Sequence, residues 1–302
     1  MRVTDQILVD LTVQNLWDNE NRIAEIQNQL TTGKRLSKIS DAPQDGARAL
    51  TIQASIDQGN QYLRNIDAAS SWLSATDTAL ANVSQALLRA QELAVEGAND
   101  TLSAADRQAM ASEVDALIGQ MVQVGNSTYA DSYLFAGAAT TSAPFAYTGG
   151  VVTYTNSDPV SATAALTREI STSMRIQVNT IGHDPTTGAA LFDRVFAALT
   201  SFRQALQANN TAAIKAVIPQ LQDAENQLLQ ERASVGAKLN QVNAMRDQLT
   251  STQLRLQQFQ STLVDADMVQ AATDYAQADI VRRASMAAAA RTLPPSLFDY
   301  LI

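Results

Sequence analysis

The 302-residue chain has no cysteine and a single histidine, His183. Without cysteine, disulfides, thiolate metal sites and thiol nucleophiles are excluded. One histidine is too few for a zinc helix of the H-E-x-x-H type or for a three-histidine site. The sequence also contains no G-x-S-x-G turn and no phosphate-binding loop. We therefore predict that the protein is not an enzyme, and that it has no catalytic residue, no cofactor and no bound metal.

Aromatic residues make up only 5% of the chain, and 21 basic residues stand against 30 acidic ones. A net charge of −9 without a basic block argues against nucleic acid as a partner. The longest uncharged stretch, residues 132–157, is rich in Ser, Thr and Gly, so it does not predict a membrane span. The first residues lack the apolar core of a classical signal peptide. We expect no nucleic-acid partner, no membrane partner and no cleaved signal.

The strongest positive pattern is a heptad repeat of apolar residues near the C-terminal end. Its members are Leu221, Leu228, Val235, Val242, Leu249, Leu256 and Leu263, with Phe259 among the residues three positions later. A second apolar repeat includes Ile66, Leu73, Leu80 and Leu87. Such spacing is typical of a coiled-coil seam. The two seams predict a mainly α fold, an elongated antiparallel helical rod that resembles a coiled coil.

Helix-breaking residues divide this pattern. Gly33 predicts the end of a first helix, and Pro43, after Ser40 or Asp41 as N-cap, predicts the start of a second. Two β-rich runs flank the glycine pair at residues 149–150, which predicts a hairpin. We expect the heptad helix to follow Pro219 and a last helix to begin at Asp265.

These signals divide the chain into five parts. They are an N-terminal helix (1–40), the first part of the rod (41–128), a small β-rich insertion (129–187), the second part of the rod (188–264) and a C-terminal helix (265–302). We interpret the insertion as an outward-facing module that the two seams do not need in order to pair.

The chain ends on large apolar residues, in the sequence "PPSLFDYLI". Each large apolar side chain left in water forgoes about 1.5 to 3 kcal/mol of burial free energy. Its own core, a membrane or another protein chain could cover this segment.

Several stretches resemble the flagellin superfamily, and they occur in the order that the superfamily shows. They are "GKRLSKISDAPQDGARAL" (33–50), "LLRAQELAVEGANDTLSAADRQAMASEVDALI" (87–118), "RASVGAKLNQVNAM" (232–245) and "STLVDADM" (261–268). Within the superfamily, "YLFAG" followed by "APF" (133–145) and the ending "PSLFDYL" are similar to the hook-associated proteins that join hook to filament.

The resemblance implies a secreted structural subunit that polymerises at the hook tip as a junction between hook and filament. It implies export through the flagellar type III channel, an extracellular location, and a ring of copies that contacts the other junction protein, flagellin and an export chaperone. The terminal helices would pair as one inner domain, with neighbouring subunits covering their apolar residues. The predicted subunit-interface residues are Ile7, Leu11, Leu16, Ile23, Tyr275, Leu297, Phe298, Tyr300 and Leu301.

Arg89, Leu93 and Glu113 align with flagellin rod positions that make subunit contacts, although an ordinary solvated helix face explains them equally well. Three other functions stay open from the sequence. The chain could be a flagellin proper, a secreted coiled-coil binding protein, or an enzyme whose site lies in the insertion. For the enzyme, the sequence offers no candidate catalytic residues.

Overall fold

The computed structural model describes residues 2–38, 40, 42–155 and 158–292. The described helices are α1 (Arg2–Thr32), α2 (Pro43–Gly97), α3 (Ala104–Gly125), α4 (Pro159–Thr163), α5 (Leu191–Gln207), α6 (Thr211–Val264) and α7 (Met268–Thr292). The strands are β1 (Thr128–Tyr129), β2 (Ser132–Tyr133), β3 (Phe145–Thr148), β4 (Val151–Tyr154), β5 (Thr167–Ser171) and β6 (Met174–Gln177). The predicted fold class, mainly α with long helices and a small β-rich insertion, is confirmed.

The chain forms two compact units. Unit 1 comprises Met1–Gln58 and Ser251–Ile302, and unit 2 comprises Gly59–Thr250. The sequence instead predicts boundaries at 40/41 and 264/265, where helices end. The difference arises because α2 and α6 each contribute residues to both units, so the division falls within two continuous helices.

Most predicted helix limits match the structure. The helix α1 ends at Thr32, and Gly33 follows with a φ of +70°, the left-handed conformation that favours glycine after a helix. The helix α2 begins at Pro43, where the missing N–H removes no helical hydrogen bond. Of the two candidate N-caps before it, Asp41 lies outside the described residues.

Two predicted helix starts are wrong. Pro219 lies inside α6, and the buried neighbours Val217 and Leu221 pack on both sides of it, so packing outweighs the cost of the lost hydrogen bond. At the start of α7 the capping residue is Asp267, whose Oδ1 accepts hydrogen bonds from the backbone N–H groups of residues 269 and 270 at 2.9 and 3.1 Å. Asp265 instead forms an antiparallel β-bridge with Lys34.

Three antiparallel hairpins form the insertion: β1 with β2, β3 with β4, and β5 with β6. Gly149 and Gly150 make the β3–β4 turn with φ values of +60° and +80°, as the glycine pair predicts. Arg203 of α5 fixes this turn, since its guanidinium donates to Asp115 Oδ1 at 2.6 Å, to Tyr147 Oη at 2.8 Å and to the Gly150 carbonyl at 2.6 Å.

Unit 2 encloses a continuous core of side chains from α2, α3, α5 and α6. The buried seam residues are Ile66, Leu73, Leu80, Leu87, Leu228, Val235 and Val242, and Leu249 packs partly buried against them. Ile170, Ile176 and Val178 of the insertion lie in this same core. The outward-facing part of the interpretation is therefore wrong for this hairpin, because the hairpin supplies buried apolar surface to the core. That the two seams pair without the insertion stays a prediction.

Unit 1 has a much smaller core. The helices α1 and α7 pack together, with Ile23 and Ile26 buried against Ala271 and Ala278. Among the described residues, Leu30 and Tyr275 extend this cluster as partly buried residues. The pairing of the terminal helices that the resemblance implies is thus present within one chain.

Candidate subunit interface

Most of the large apolar side chains that the structure describes on the terminal helix pair face solvent. On α1, Ile7, Leu11 and Trp17 are all more than half exposed, and Trp17 is 68% exposed. On α7, Val269 is 79% exposed and Ile280 is 67% exposed. The apolar repeats of the sequence include none of Trp17, Val269 and Ile280. This pair therefore presents apolar surface that its own partner helix leaves uncovered.

The predicted interface residues of this pair differ in environment. Ile7 and Leu11 are exposed, and Leu16 is partly buried. Ile23 is buried against α7, so its prediction as a contact to a neighbouring subunit is wrong: its own chain covers it. Tyr275 is also partly covered, and its Oη accepts a hydrogen bond from Gln27 Nε2 at 3.2 Å. Four further predicted residues lie outside the described ones, namely Leu297, Phe298, Tyr300 and Leu301.

A second apolar surface in unit 1 lies between the first turns of α2 and the last turns of α6. We call this segment, residues 43–58 and 251–264, the neck. The sequence places Phe259 in the seam, yet its side chain is 61% exposed, and the seam residues Leu256 and Leu263 are only partly buried. A groove of about 490 Å³ opens here, lined by Ala47, Arg48, Thr51, Ile52, Phe259, Thr262 and Leu263.

Polar contacts hold the neck together around this groove. The Arg35 guanidinium donates to Asp45 Oδ2 at 2.9 Å and to the Leu263 carbonyl at 2.7 Å. Gln260 Nε2 donates to Gln53 Oε1 at 2.7 Å. The segment between α1 and α2, residues 33–42, is therefore partly structural, because Arg35 ties it to both neck helices.

The three predicted surface-contact residues do not share one face. Arg89 and Glu113 are exposed and form an ion pair of 2.8 Å, which with Glu92 raises the pKa of Arg89. Leu93 is 2% exposed and belongs to the core of unit 2, so the prediction that it lies on the contact surface is wrong. The i, i+4 spacing from Arg89 places Leu93 near the same helix face, but the packing of α3, α5 and α6 covers it.

The single histidine is held inside unit 2. His183 Nδ1 lies 2.6 Å from Asp193 Oδ1, and its ring stacks on Tyr154 with 3.6 Å between ring centroids. Burial raises the pKa of Tyr154. The loop around His183 is thus fastened to the start of α5. Over the described residues, no three His, Cys, Asp or Glu side chains come together in a way that could hold a metal ion.

Two family models match the chain. Residues 4–140 match the bacterial flagellin N-terminal helical region, and residues 218–301 match the bacterial flagellin C-terminal helical region. A flagellar hook-associated protein 3 from Salmonella typhimurium is 27% identical over 315 aligned residues, covering 94% of this chain and 95% of that protein. The chain belongs to the bacterial flagellin family.

Within this family, similarity to the hook-associated type extends further along the chain. A flagellin from Clostridium tyrobutyricum is 25% identical over 128 residues, which cover 42% of this chain and 34% of that flagellin. The crystal structure of FlgL from Bacillus cereus shares the fold, with a TM-score of 0.58 and 21% identity over 70% of this chain and 98% of that one. The predicted resemblance to hook-associated members of the family is confirmed. None of the described helices has an apolar stretch long enough to cross a membrane.

Proposed function

We propose that this flagellin-family chain is a structural subunit of the bacterial flagellum that polymerises at the hook tip and joins hook to filament. The observation that carries the proposal is the terminal helix pair, whose apolar side chains remain exposed in the single chain. A surface of that kind is stabilised when further copies cover it. Similarity to hook-associated protein 3 along 94% of the chain favours a junction subunit rather than a flagellin that builds the whole filament.

The proposal includes the partners and the location. We expect a ring of identical copies that contacts the other hook–filament junction protein on one side and flagellin on the other. An export chaperone would accompany the chain to the flagellar type III channel, and the assembled ring would be extracellular. Its role is structural rather than enzymatic, in keeping with the similarity to a flagellar hook-associated protein and to a flagellin.

Two sets of residues form the proposed contacts. The terminal set combines the exposed residues of α1 and α7, including Ile7, Leu11 and Trp17, with the apolar residues 297–302. The second set is the exposed ion pair of Arg89 and Glu113 in unit 2. In the assembled ring, the terminal parts at 1–40 and 265–302 would make the contacts between subunits on the inside, and the parts between them would make the contacts on the outside.

Deletion of the gene tests the proposal directly. We expect hooks of normal length without filaments, and flagellin released into the medium, because filament subunits would have nothing to attach to. Normal filaments in the deletion strain would contradict the junction role. Antibody labelling separates the junction from a flagellin, since a junction subunit labels a short zone at the hook tip and a flagellin labels the whole filament.

A further inference from the structure

The packing around the helices α2 and α6 changes along their length. In unit 2 the β5–β6 hairpin covers part of α2, where Asn65 Nδ2 donates to the Glu169 carbonyl at 2.8 Å. In the neck, by contrast, Leu50, Leu254 and Phe259 are each more than half exposed. Two helices alone cannot bury a broad apolar stripe on each of them. The neck is therefore a part of the described fold in which apolar side chains meet without being enclosed.

The neck groove has a definite chemistry. Its lining combines the small residues Ala47 and Thr51, one helical turn apart, with the apolar side chains of Ile52, Phe259 and Leu263. Arg48 lies at the edge with its side chain exposed, and no carboxylate of the described residues pairs with its guanidinium. The groove thus fits an apolar segment that carries one negative charge.

The residues after Thr292 have this chemistry. Residues 293–302 read "LPPSLFDYLI", with large apolar or aromatic side chains at six of ten positions and Asp299 as the one charged side chain. Phe298 and Tyr300 flank this aspartate. We propose that residues 293–302 of one copy dock in the neck groove of a second copy, with Asp299 facing Arg48. The proposal rests on the proposed function, because it names one contact by which copies would join.

Chain length favours a second copy over the same chain. The helix α7 begins five residues after Leu263 of the groove and has 25 residues, so its far end lies roughly 36 Å from its start. Phe298 is six residues beyond Thr292, and a fully extended segment of that length spans only about 20 Å. Phe298 could therefore reach its own groove only with the connection before α7 and the tail after Thr292 both fully extended, whereas the groove of a neighbouring copy is not limited in this way.

Disulfide trapping tests the contact, because the chain has no cysteine of its own. Phe259→Cys in one copy and Phe298→Cys in another would be produced together in the deletion strain, and the isolated flagella would be oxidised. We expect a cross-linked dimer at a yield about tenfold above that of a matched control, since docking raises the local thiol concentration. The control pairs Phe298→Cys with Leu229→Cys, which replaces an exposed apolar residue of α6 in unit 2.

A charge exchange adds a second readout. Arg48→Glu should abolish the cross-link, and Asp299→Lys in the copy that carries Phe298→Cys should restore it. An immunoblot of the same flagella separates the two possible failures. Absence of the unaltered chain from flagella overturns the proposed function and this contact with it. Presence of the chain with a cross-link no stronger than the Leu229→Cys control overturns the docking contact alone, as does a yield that Arg48→Glu leaves unchanged.

Discussion

The two compact units use apolar residues in opposite ways. In unit 2 four helices and the β5–β6 hairpin enclose the seam residues, and side chains such as Leu80 and Phe202 are completely buried. In unit 1 the terminal pair buries few large side chains, and Trp17, Phe259 and Val269 are mostly exposed. Both units contain long amphipathic helices, so helix formation does not distinguish them. The two units differ instead in the number of elements that pack around these helices.

This difference assigns separate tasks to the units. Burial of apolar surface is the main stabilising contribution to a fold, so unit 2 has the means to remain folded as a single chain. Each exposed large side chain of unit 1 retains about 1.5 to 3 kcal/mol of unrealised burial free energy. That free energy becomes available when another copy covers the surface. Stability thus resides mainly in unit 2, and the capacity to assemble resides mainly in unit 1.

The largest effect on stability is expected from the core of unit 2. Leu80→Ala removes a fully buried seam side chain, which should lower the free energy of unfolding by about 2 to 5 kcal/mol. Leu88→Ala, eight residues along the same helix, replaces an exposed leucine and should change it by less than about 0.5 kcal/mol. Urea unfolding followed by Trp72 fluorescence in a Trp17→Phe background reports unit 2 alone, because the chain has two tryptophans. Equal losses in both variants would contradict a core confined to the seam face.

The sequence predicts this core well because local patterns determine it. The heptad spacing identifies Leu73, Leu80 and Val242 as buried, and the structure encloses all three. The helix limits at Gly33 and Pro43 likewise follow from the backbone preferences of glycine and proline. Periodicity and turn chemistry are properties of short segments, which a single sequence displays directly.

Other features depend on residues far apart in the chain, and the sequence does not reveal them. Phe259 continues the seam pattern, yet its side chain is 61% exposed at the edge of the neck groove. Leu93 looks like a surface residue beside Arg89, yet elements more than ten residues away bury it. Ile170 lies in the insertion, which the sequence predicts to be an outward-facing module, yet its side chain packs in the main core. Long-range packing decides burial at each of these positions, and periodicity does not encode it.

A smaller effect on unit 2 should appear as a dependence on pH. Hydrogen bonds from Tyr147 and Arg203 lower the pKa of Asp115, so the folded chain binds fewer protons at this group than the unfolded chain near pH 3 to 4. The contribution of Asp115 is therefore fully present above the unfolded pKa of about 4 and is lost as the pH falls through the lower folded value. Because its side chain is half exposed, solvent screening should limit the contribution to about 1 kcal/mol or less.

Asp115→Asn tests this dependence. At pH 7 the variant should be slightly less stable than the unaltered chain, and the two should converge below about pH 3. The measurement is urea unfolding at a series of pH values, with Asp100→Asn as the control because Asp100 is an exposed partner of Lys215. A difference between Asp115→Asn and the unaltered chain that stays constant from pH 7 to pH 3 would show that the carboxylate charge is not the cause.

The smallest effect on stability, and the sharpest test of the comparison, is expected at Trp17. This tryptophan is 68% exposed on α1, so Trp17→Ser removes little buried surface, and the two residues have similar helix propensities. The free energy of unfolding should therefore change by less than about 0.5 kcal/mol. Incorporation at the hook tip, measured by immunoblotting of isolated hooks with their basal bodies, should nevertheless fall sharply, since the side chain would be buried only between copies.

The matched control is Leu229→Ser, which removes an exposed apolar side chain from α6 in unit 2. If assembly resides in unit 1, this variant should incorporate normally while Trp17→Ser does not. Equal loss of incorporation in both variants would mean that any exposed apolar residue matters, and the division of tasks would be wrong. A large loss of stability in Trp17→Ser would mean instead that the single chain covers this side chain in solution. Normal incorporation of Trp17→Ser, with unchanged stability, would remove Trp17 from the proposed contacts and leave the remaining exposed residues of α1 and α7 to form them.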